Sequence, residues 1–364
     1  NGQLITFAAG TTSQTFIVQT IEDTKFEPNE TIAVALSGAA NATGVSGSPA
    51  TGTINNDDNQ PTISITGPAS LAEGNAGSTP ANYNVTLSNP SFQTITVLVG
   101  TSDGTAIAGS DFTALSQTVT FNPGETSKPV TVNVTGDLVD ENDETYSLAL
   151  TAPTNAAINA AAGSVTTTII DDDGAPTLTI NDVTQVETNA GTTAFIFTVT
   201  LSGSSAQTVN VNFATANGTA TAGEDYAASS GTLTFLSGGA TTQTITVFVN
   251  GDTKFETDQT FTVGLSGAVN ATLGDASGNG TITNDDAKPT ITIVSASASE
   301  GDAMTFNLTL SNTSDEVVTV LATVNDGTAT TADSDYTDIN GQLITFAAGT
   351  TSQTFIVQTI EDTK

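Results

Sequence analysis

Apolar and polar residues alternate with a period of two along most of this chain. In Val209-Asn210-Val211-Asn212-Phe213 every second side chain is apolar, and Thr62-Ile63-Ser64-Ile65, Thr118-Val119-Thr120-Phe121 and Thr244-Ile245-Thr246-Val247 repeat the pattern. These runs are rich in Thr and Val, which fit a pleated, half-buried surface. Gly, Asn, Asp and Pro interrupt them at intervals of roughly 8–12 residues, the spacing of turns between short strands. No segment of useful length carries the period of an amphipathic helix. About seven strands in roughly 110 residues predict an all-β chain of antiparallel β-sandwiches with immunoglobulin-like architecture. The many Thr and Asn are then outward-facing positions.

Repetition sets the domain boundaries. Asn56-Asp57-Asp58, Asp171-Asp172-Asp173 and Asn284-Asp285-Asp286 each close a strand-like run, at spacings of 115 and 113 residues. A Pro-Thr start follows each one, at Pro61-Thr62, Pro176-Thr177 and Pro289-Thr290. A glycine-containing loop also recurs, from Asp103 to Phe112, Asn217 to Tyr226 and Asp326 to Tyr336. These landmarks define two complete modules, 59–173 and 174–286. The C-terminal part of a module precedes them in 1–58, and the N-terminal part of another follows in 287–364. Residues 1–25 and 340–364 are the same 25-residue string, offset by 339 positions. The simplest expectation is a longer polymer with a three-module period, of which the chain is one period plus overlap. The alternative is that separate chains complete each other's split modules by donating strands.

Composition then narrows the chemistry. The 364 residues include 38 Asp and Glu against 5 Lys and Arg, a net charge of −33, with no His and no Cys. Without Cys there is no disulfide or thiolate metal site, and without His there is no Ser-His triad and no imidazole ligand. A nucleic-acid backbone is repelled by this charge. No apolar run reaches the roughly 20 residues of a membrane-spanning helix, so no membrane insertion is expected in this segment. Apolar residues make up 37% of the chain, enough for packed cores rather than a disordered acidic polymer. A glycosidase-like pair of carboxylates finds no aromatic sugar platform, since Trp is absent and aromatics are 5%. No catalytic activity is expected.

The acidic residues gather at corresponding places in each module. One place is the closing tripeptide. Another lies about 30 residues earlier, with Asp137, Asp140, Glu141, Asp143 and Glu144 in the first complete module. Its counterparts are Asp252, Glu256 and Asp258 in the second, and Asp23, Glu27 and Glu30 in the leading segment. A single Glu follows the first strand, at Glu73, Glu187 and Glu300, and an Asp opens the glycine loop at Asp103 and Asp326, with Asn217 between them. Loops of a sandwich cluster at its two ends, so these groups can meet at one pole. Each carboxylate pair at about 5 Å then costs roughly 0.8 kcal/mol in water, and several-fold more at lower dielectric. A bound cation relieves that repulsion. Oxygen donors without Cys or His select calcium over zinc or copper, and flexible loops offering many oxygens suit calcium better than octahedral magnesium.

The order of these features resembles the Calx-beta domain: a Glu after the first strand, Asn217-Gly218-Thr219-Ala220 leading to Asp225-Tyr226, Gly231-Thr232-Leu233-Thr234-Phe235, then Phe255-Glu256 and a closing Asp-Asp pair. That family includes the calcium-sensing domains of sodium–calcium exchangers and occurs in tandem in many bacterial surface and adhesin proteins. The resemblance covers essentially the whole chain. It implies tandem immunoglobulin-like sandwiches forming an elongated rod, with calcium bound at the end of each module nearest the next. Carried over residue by residue, it assigns Glu73, Asp103, Asp137, Glu141, Glu144, Asp171, Asp172 and Asp173 to the metal in the first complete module. In the second it keeps Glu187, Asp252, Glu256, Asp285 and Asp286, with Asn217, Gln259 and Asn284 as neutral replacements, so fewer or weaker ions are expected there. Module three supplies Glu300, Asp326 and Asp362, and the leading segment supplies Asp23, Glu27, Glu30, Asp57 and Asp58. Asp111, Asp225 and Asp335 are expected to serve only the turn, and Phe112, Tyr226 and Tyr336 the core. Lys25, Lys254 and Lys364 occupy one corresponding place in the acidic loop and are expected to be surface charges.

From these features a non-catalytic, calcium-rigidified repeat of an extracellular fibre or cell-surface stalk, of bacterial type, is expected. Its partners would be further copies of the same repeat. The competing expectations are an adhesin that grips a receptor, sugar or surface directly, and a calcium-sensing segment of a larger membrane protein.

Overall fold

The computed structural model describes residues 2–361. It divides into two units, Asn1–Asp173 and Gly174–Lys364. No helix occurs among the described residues.

In the first unit residues 62–170 form a sandwich of two sheets. One has the order Ser70–Ala72, Ser164–Ile170, Glu144–Thr154, Ile95–Asp103, Ser116–Phe121; the other runs Ala157–Ile158, Thr62–Thr66, Gly77–Leu87, Ser127–Gly136. Period-two alternation becomes burial directly: along Ser127–Gly136, Val130, Val132 and Val134 point into the core while the residues between them face solvent. The inner faces meet at Ile63, Val85, Val97, Phe121, Tyr146 and Leu148, all essentially without exposure. The second unit repeats the plan. Its sheets run Thr242–Gly251, Gly191–Ser202, Thr177–Ile180, Thr272–Asp275, and Val183–Val186, Ser277–Thr283, Gln259–Val269, Val209–Asn217, Ser230–Phe235.

The sandwich is not purely antiparallel: Ala157–Ile158 runs parallel to Thr62–Ile63, Thr272–Asp275 runs parallel to Thr177–Thr179, and a second parallel pair lies in the other sheet. The first strand splits between the sheets, and its second half pairs in parallel with the last strand. Ser70, Leu71 and Ala72 lie beside Thr168, Ile169 and Ile170, and Val183–Val186 beside Gly280–Thr283. The sheet switch follows Gly67, where a Cβ would lie 2.1 Å from the Tyr83 ring. Only glycine lets the backbone cross that close.

Residues 287–364 contribute Ile291–Ile293, Ala303–Leu310 and Ser352–Gln358 to one sheet and Val318–Ala322 with Gln342–Phe346 to another. The leading segment carries one hairpin, Glu30–Val34 with Ala50–Ile54. The duplicated string therefore has two environments. Phe346, Phe355 and Val357 are 0%, 4% and 4% exposed, whereas the same residues of the first copy, Phe7, Phe16 and Val18, are 57%, 41% and 48% exposed. Among its described residues the first copy holds no strand.

Each unit also contains one junction between successive modules, made the same way. Phe26 N–H donates to Pro90 O (3.0 Å) and Phe92 N–H to Phe26 O (3.0 Å); Phe255 N–H donates to Thr313 O (2.9 Å) and Asp315 N–H to Phe255 O (3.0 Å). The Asn89 amide donates to Asn59 O at 3.0 Å, and the Asn312 amide to Ala287 O at 3.0 Å.

Candidate metal centre

Parallel pairing of the first and last strands brings the acidic residues together. Two parallel neighbours leave the sheet at the same end, so Glu73, following Ala72, emerges beside Asp171, following Ile170. The Glu73 N–H donates to Ile170 O at 3.2 Å, and Glu187 N–H to Thr283 O at 3.3 Å. The antiparallel neighbour enters at that end, with Glu144 opposite Ile169. The strand ending at Gly136 presses on the same corner. A Cβ at Gly136 would lie 1.8 Å from Gly74 O, and one at Gly251 2.1 Å from Thr188 O, so glycine is required there.

Two groups result in the first complete module. Glu73, Asp171 and Asp173 each offer an oxygen within 4.8 Å of the others, and so do Asp111, Glu141 and Glu144. The second module has one such group, Glu187, Asp285 and Asp286. Glu73 and Glu187 are 5% and 3% exposed. Among the described residues, Glu73 Oε1 and Asp173 Oδ2 are buried and accept no hydrogen bond, and neither do Glu187 Oε1 and Asp286 Oδ2 at the corresponding positions. Leaving a buried charged oxygen without a donor is costly. Burial, and then the neighbouring carboxylates, push the Glu73 and Glu187 pKa up to about 7. Glu144 is likewise pushed up to about 7, by burial and by its hydrogen bond with Asp111. All-oxygen clusters with unsatisfied acceptors and mutual repulsion fit a hard, multiply coordinated cation, and calcium matches them better than zinc, copper or magnesium.

A reciprocal clamp, invisible in the sequence, holds the two acidic stretches together. Asp171 Oδ1 accepts from Glu141 N–H (3.2 Å) while Asp143 Oδ1 accepts from Asp171 N–H (3.2 Å). Asn284 and Asp258 do the same around Glu256, at 3.1 and 3.2 Å, and Asn56 and Asn29 around Glu27, at 3.0 and 2.9 Å. The Asn at the head of two closing tripeptides thus keeps the clamp while losing the charge.

The glycine-loop aspartates are placed differently from expectation. Asp103 joins neither group; its Oδ1 accepts from Ala108 N–H at 3.1 Å. Asn217 makes the same bond to Ala222 at 3.0 Å, and Asp326 to Thr331 at 3.0 Å. Tyr226 and Tyr336 add hydroxyl bonds of 2.6 Å to Asn217 and Asp326. An amide serves as well as a carboxylate for closing this loop, which is why Asn217 is accommodated. Asp111 is the reverse case: its Oδ2 accepts from Ile107 N–H at 2.7 Å, as the turn reading requires, yet it also belongs to the acidic group with Glu141 and Glu144. A side chain with two oxygens does both, and the turn pattern alone concealed the second.

Asp137 and Asp252 each cap their own loop, at 2.7 Å to Val139 N–H and Lys254 N–H, and their charges help raise Glu73 and Glu187. Asp172 caps Gly74 N–H at 3.0 Å. No group of three forms around Glu300, Asp326, Asp23, Glu27, Glu30, Asp57 or Asp58 among the described residues. Asp362 lies outside the described residues. Lys254 is not the surface charge expected of it: its side chain is 17% exposed and contacts Glu224, Glu256 and Asp315.

Comparison with known proteins gives the family. The bovine sodium/calcium exchanger 1 is 32% identical over 187 residues, covering 46% of this chain and 19% of the exchanger. The Drosophila melanogaster exchanger Calx is 31% identical over 164 residues, covering 45% and 17%. The chain thus matches less than a fifth of the length of either relative. Among solved structures, CBD12 from CALX1.2 aligns with TM-score 0.30 and 21% identity, covering 61% of this chain and 99% of that one. The Calx-beta domain pattern itself matches four consecutive segments, 1–60, 57–174, 171–287 and 284–364. With the whole length accounted for in this way, the chain belongs to the Calx-beta domain family.

Proposed function

We propose that this chain is a non-catalytic, calcium-binding repeat of an extracellular fibre or cell-surface stalk, and that calcium beside the module junctions stiffens it. The observation that carries the calcium reading is the pair of buried carboxylate oxygens without hydrogen bonds at corresponding positions, Glu73 with Asp173 and Glu187 with Asp286. A cation satisfies both and cancels the repulsion. In the second complete module its effect reaches the junction, because the acidic loop there also pairs with the following module through Phe255. An ordered loop leaves less freedom to lose on assembly. The fibre reading is supported by the 339-residue recurrence of an identical string and by a charge of −33, which opposes lateral aggregation. Further copies of the repeat are the partners this reading supplies.

Similarity to exchangers favours a second reading, a calcium-sensing segment of a larger membrane protein. Calcium titration by calorimetry, combined with thermal unfolding in calcium and in chelator, tests the common part. Calcium should raise the melting temperature, each site adding about 2.7 kcal/mol at a hundredfold excess over its Kd. Absence of both binding heat and thermal shift would exclude it. A fibre element should show little calcium-dependent change in the fold of the separate modules, whereas a sensor should switch over a narrow calcium range.

A further inference from the structure

The second complete module lacks a counterpart of the acidic group Asp111, Glu141 and Glu144, and two coordinated differences explain why. Gln259 stands where the first module has Glu144, and Lys254 stands where it has Val139. Lys254 Nζ contacts Glu256 Oε1, lies 3.0 Å from Asp315 Oδ1 and 3.4 Å from Glu224 Oε1. Three carboxylates match the three N–H donors of an ammonium. Glu256, 4% exposed, has its other oxygen occupied by the Gln259 amide at 2.7 Å. One oxygen of that carboxylate therefore faces the Lys254 ammonium as an ion pair, without a hydrogen bond, and the other accepts from the Gln259 amide.

Asp315 belongs to the following module, and the backbone holds it in reach. Phe255, next to Lys254, pairs with the loop carrying Asp315, and the Asn312 amide of that loop donates to Thr253 O at 3.3 Å. Lys288 adds a cation–π contact 5.3 Å from the Phe255 ring. The corresponding junction of the first unit is built from different material: Phe92 stands where Asp315 does and packs its ring 6.3 Å from Phe26, while Lys25 pairs with Glu27 of its own loop at 2.6 Å.

We propose that Lys254 is a tethered cation that fills the second carboxylate position of this module in place of a divalent ion and, through Asp315, clasps the next module without metal. This deepens the calcium reading and rests on it for ion counting alone. The test uses the full chain. Native mass spectrometry counts bound calcium for the parent, for Lys254→Met combined with Gln259→Glu, and for Asp315→Asn. The double variant should bind one more calcium than the parent, and Asp315→Asn the same number. In chelator, Asp315→Asn should lower the melting temperature of the second unit and speed proteolysis between 284 and 290.

An unchanged ion count in a folded double variant would overturn the replacement of the ion. An unchanged melting temperature and cleavage rate in Asp315→Asn would overturn the clasp. Asp315 is half exposed, so that variant reads out even where the double variant fails to fold. A parent chain that binds no calcium would instead defeat the calcium reading and the ion replacement together, and the chelator measurement would then decide the clasp by itself.

Discussion

Glu73 is held almost out of water beside Asp171 and Asp173, with one oxygen accepting nothing. Such a residue destabilises the metal-free fold when ionised and favours the metal-bound one. Glu73→Gln removes the charge at constant shape, so its melting temperature in chelator should rise while calcium affinity falls by about ten- to a hundredfold, the span of 1.5–3 kcal/mol for a charge-assisted contact. Differential scanning calorimetry and titration calorimetry on one sample check both halves. The pH dependence follows with a definite sign. Glu73, Glu144 and Glu187 titrate near 7 in the fold, above an ordinary 4.5. Between those values the folded chain binds more protons than the unfolded one, so metal-free stability falls as pH rises from about 4.5 to about 7. Calcium binding at pH 6 should release protons, visible as a dependence of the binding heat on buffer ionisation enthalpy. At this scale the sequence was legible for residue type and position, and the single set expected in the first complete module divides, with Glu73 and Asp171 in one group of carboxylates and Glu141 in another. It could not show where an oxygen points, which separates Asp103, turned onto its own loop, from Asp111.

Among the strands, the decisive relation is the parallel alignment of first and last. Alternation in Thr62–Ile65 and Val209–Phe213 reveals strands and their buried faces, yet says nothing of a partner's direction. The sheet switch at Gly67 was illegible for the same reason, because its cause is the distant Tyr83 ring. The corner made by this alignment depends on Gly136. Gly136→Ala places a methyl group against Gly74 O and should lower both melting temperature and calcium affinity. Gly174→Ala, where nothing lies within 4 Å of a Cβ, should leave both unchanged. The reciprocal clamp makes a similar demand on Asn284. Replacing it with Ala leaves the Glu256 N–H without its acceptor, for a loss of about 1 kcal/mol in chemical denaturation.

In the molecule as a whole, repetition was the most readable feature, since identical strings need no physics to detect. Their environments were not readable. The segment Gln342–Phe346 and Ser352–Gln358 finds its partners in Val318–Ala322 and Ala303–Leu310, which precede it in the chain, and the first copy has no strand there.

The parallel neighbours also decide how a complete module answers a pull. When the chain is stretched from both ends, tension enters the opening strand at one pole and leaves the closing strand at the other, so the bonds between Ser70–Ala72 and Thr168–Ile170 are loaded in shear and must fail together. Antiparallel neighbours pulled from a shared end would unzip one bond at a time. In a force spectrometer the two complete sandwiches should yield as separate, abrupt events rather than a gradual slope, and Thr168→Pro, which removes the N–H that donates to Ala69 O at 3.0 Å, should lower the rupture force of the first.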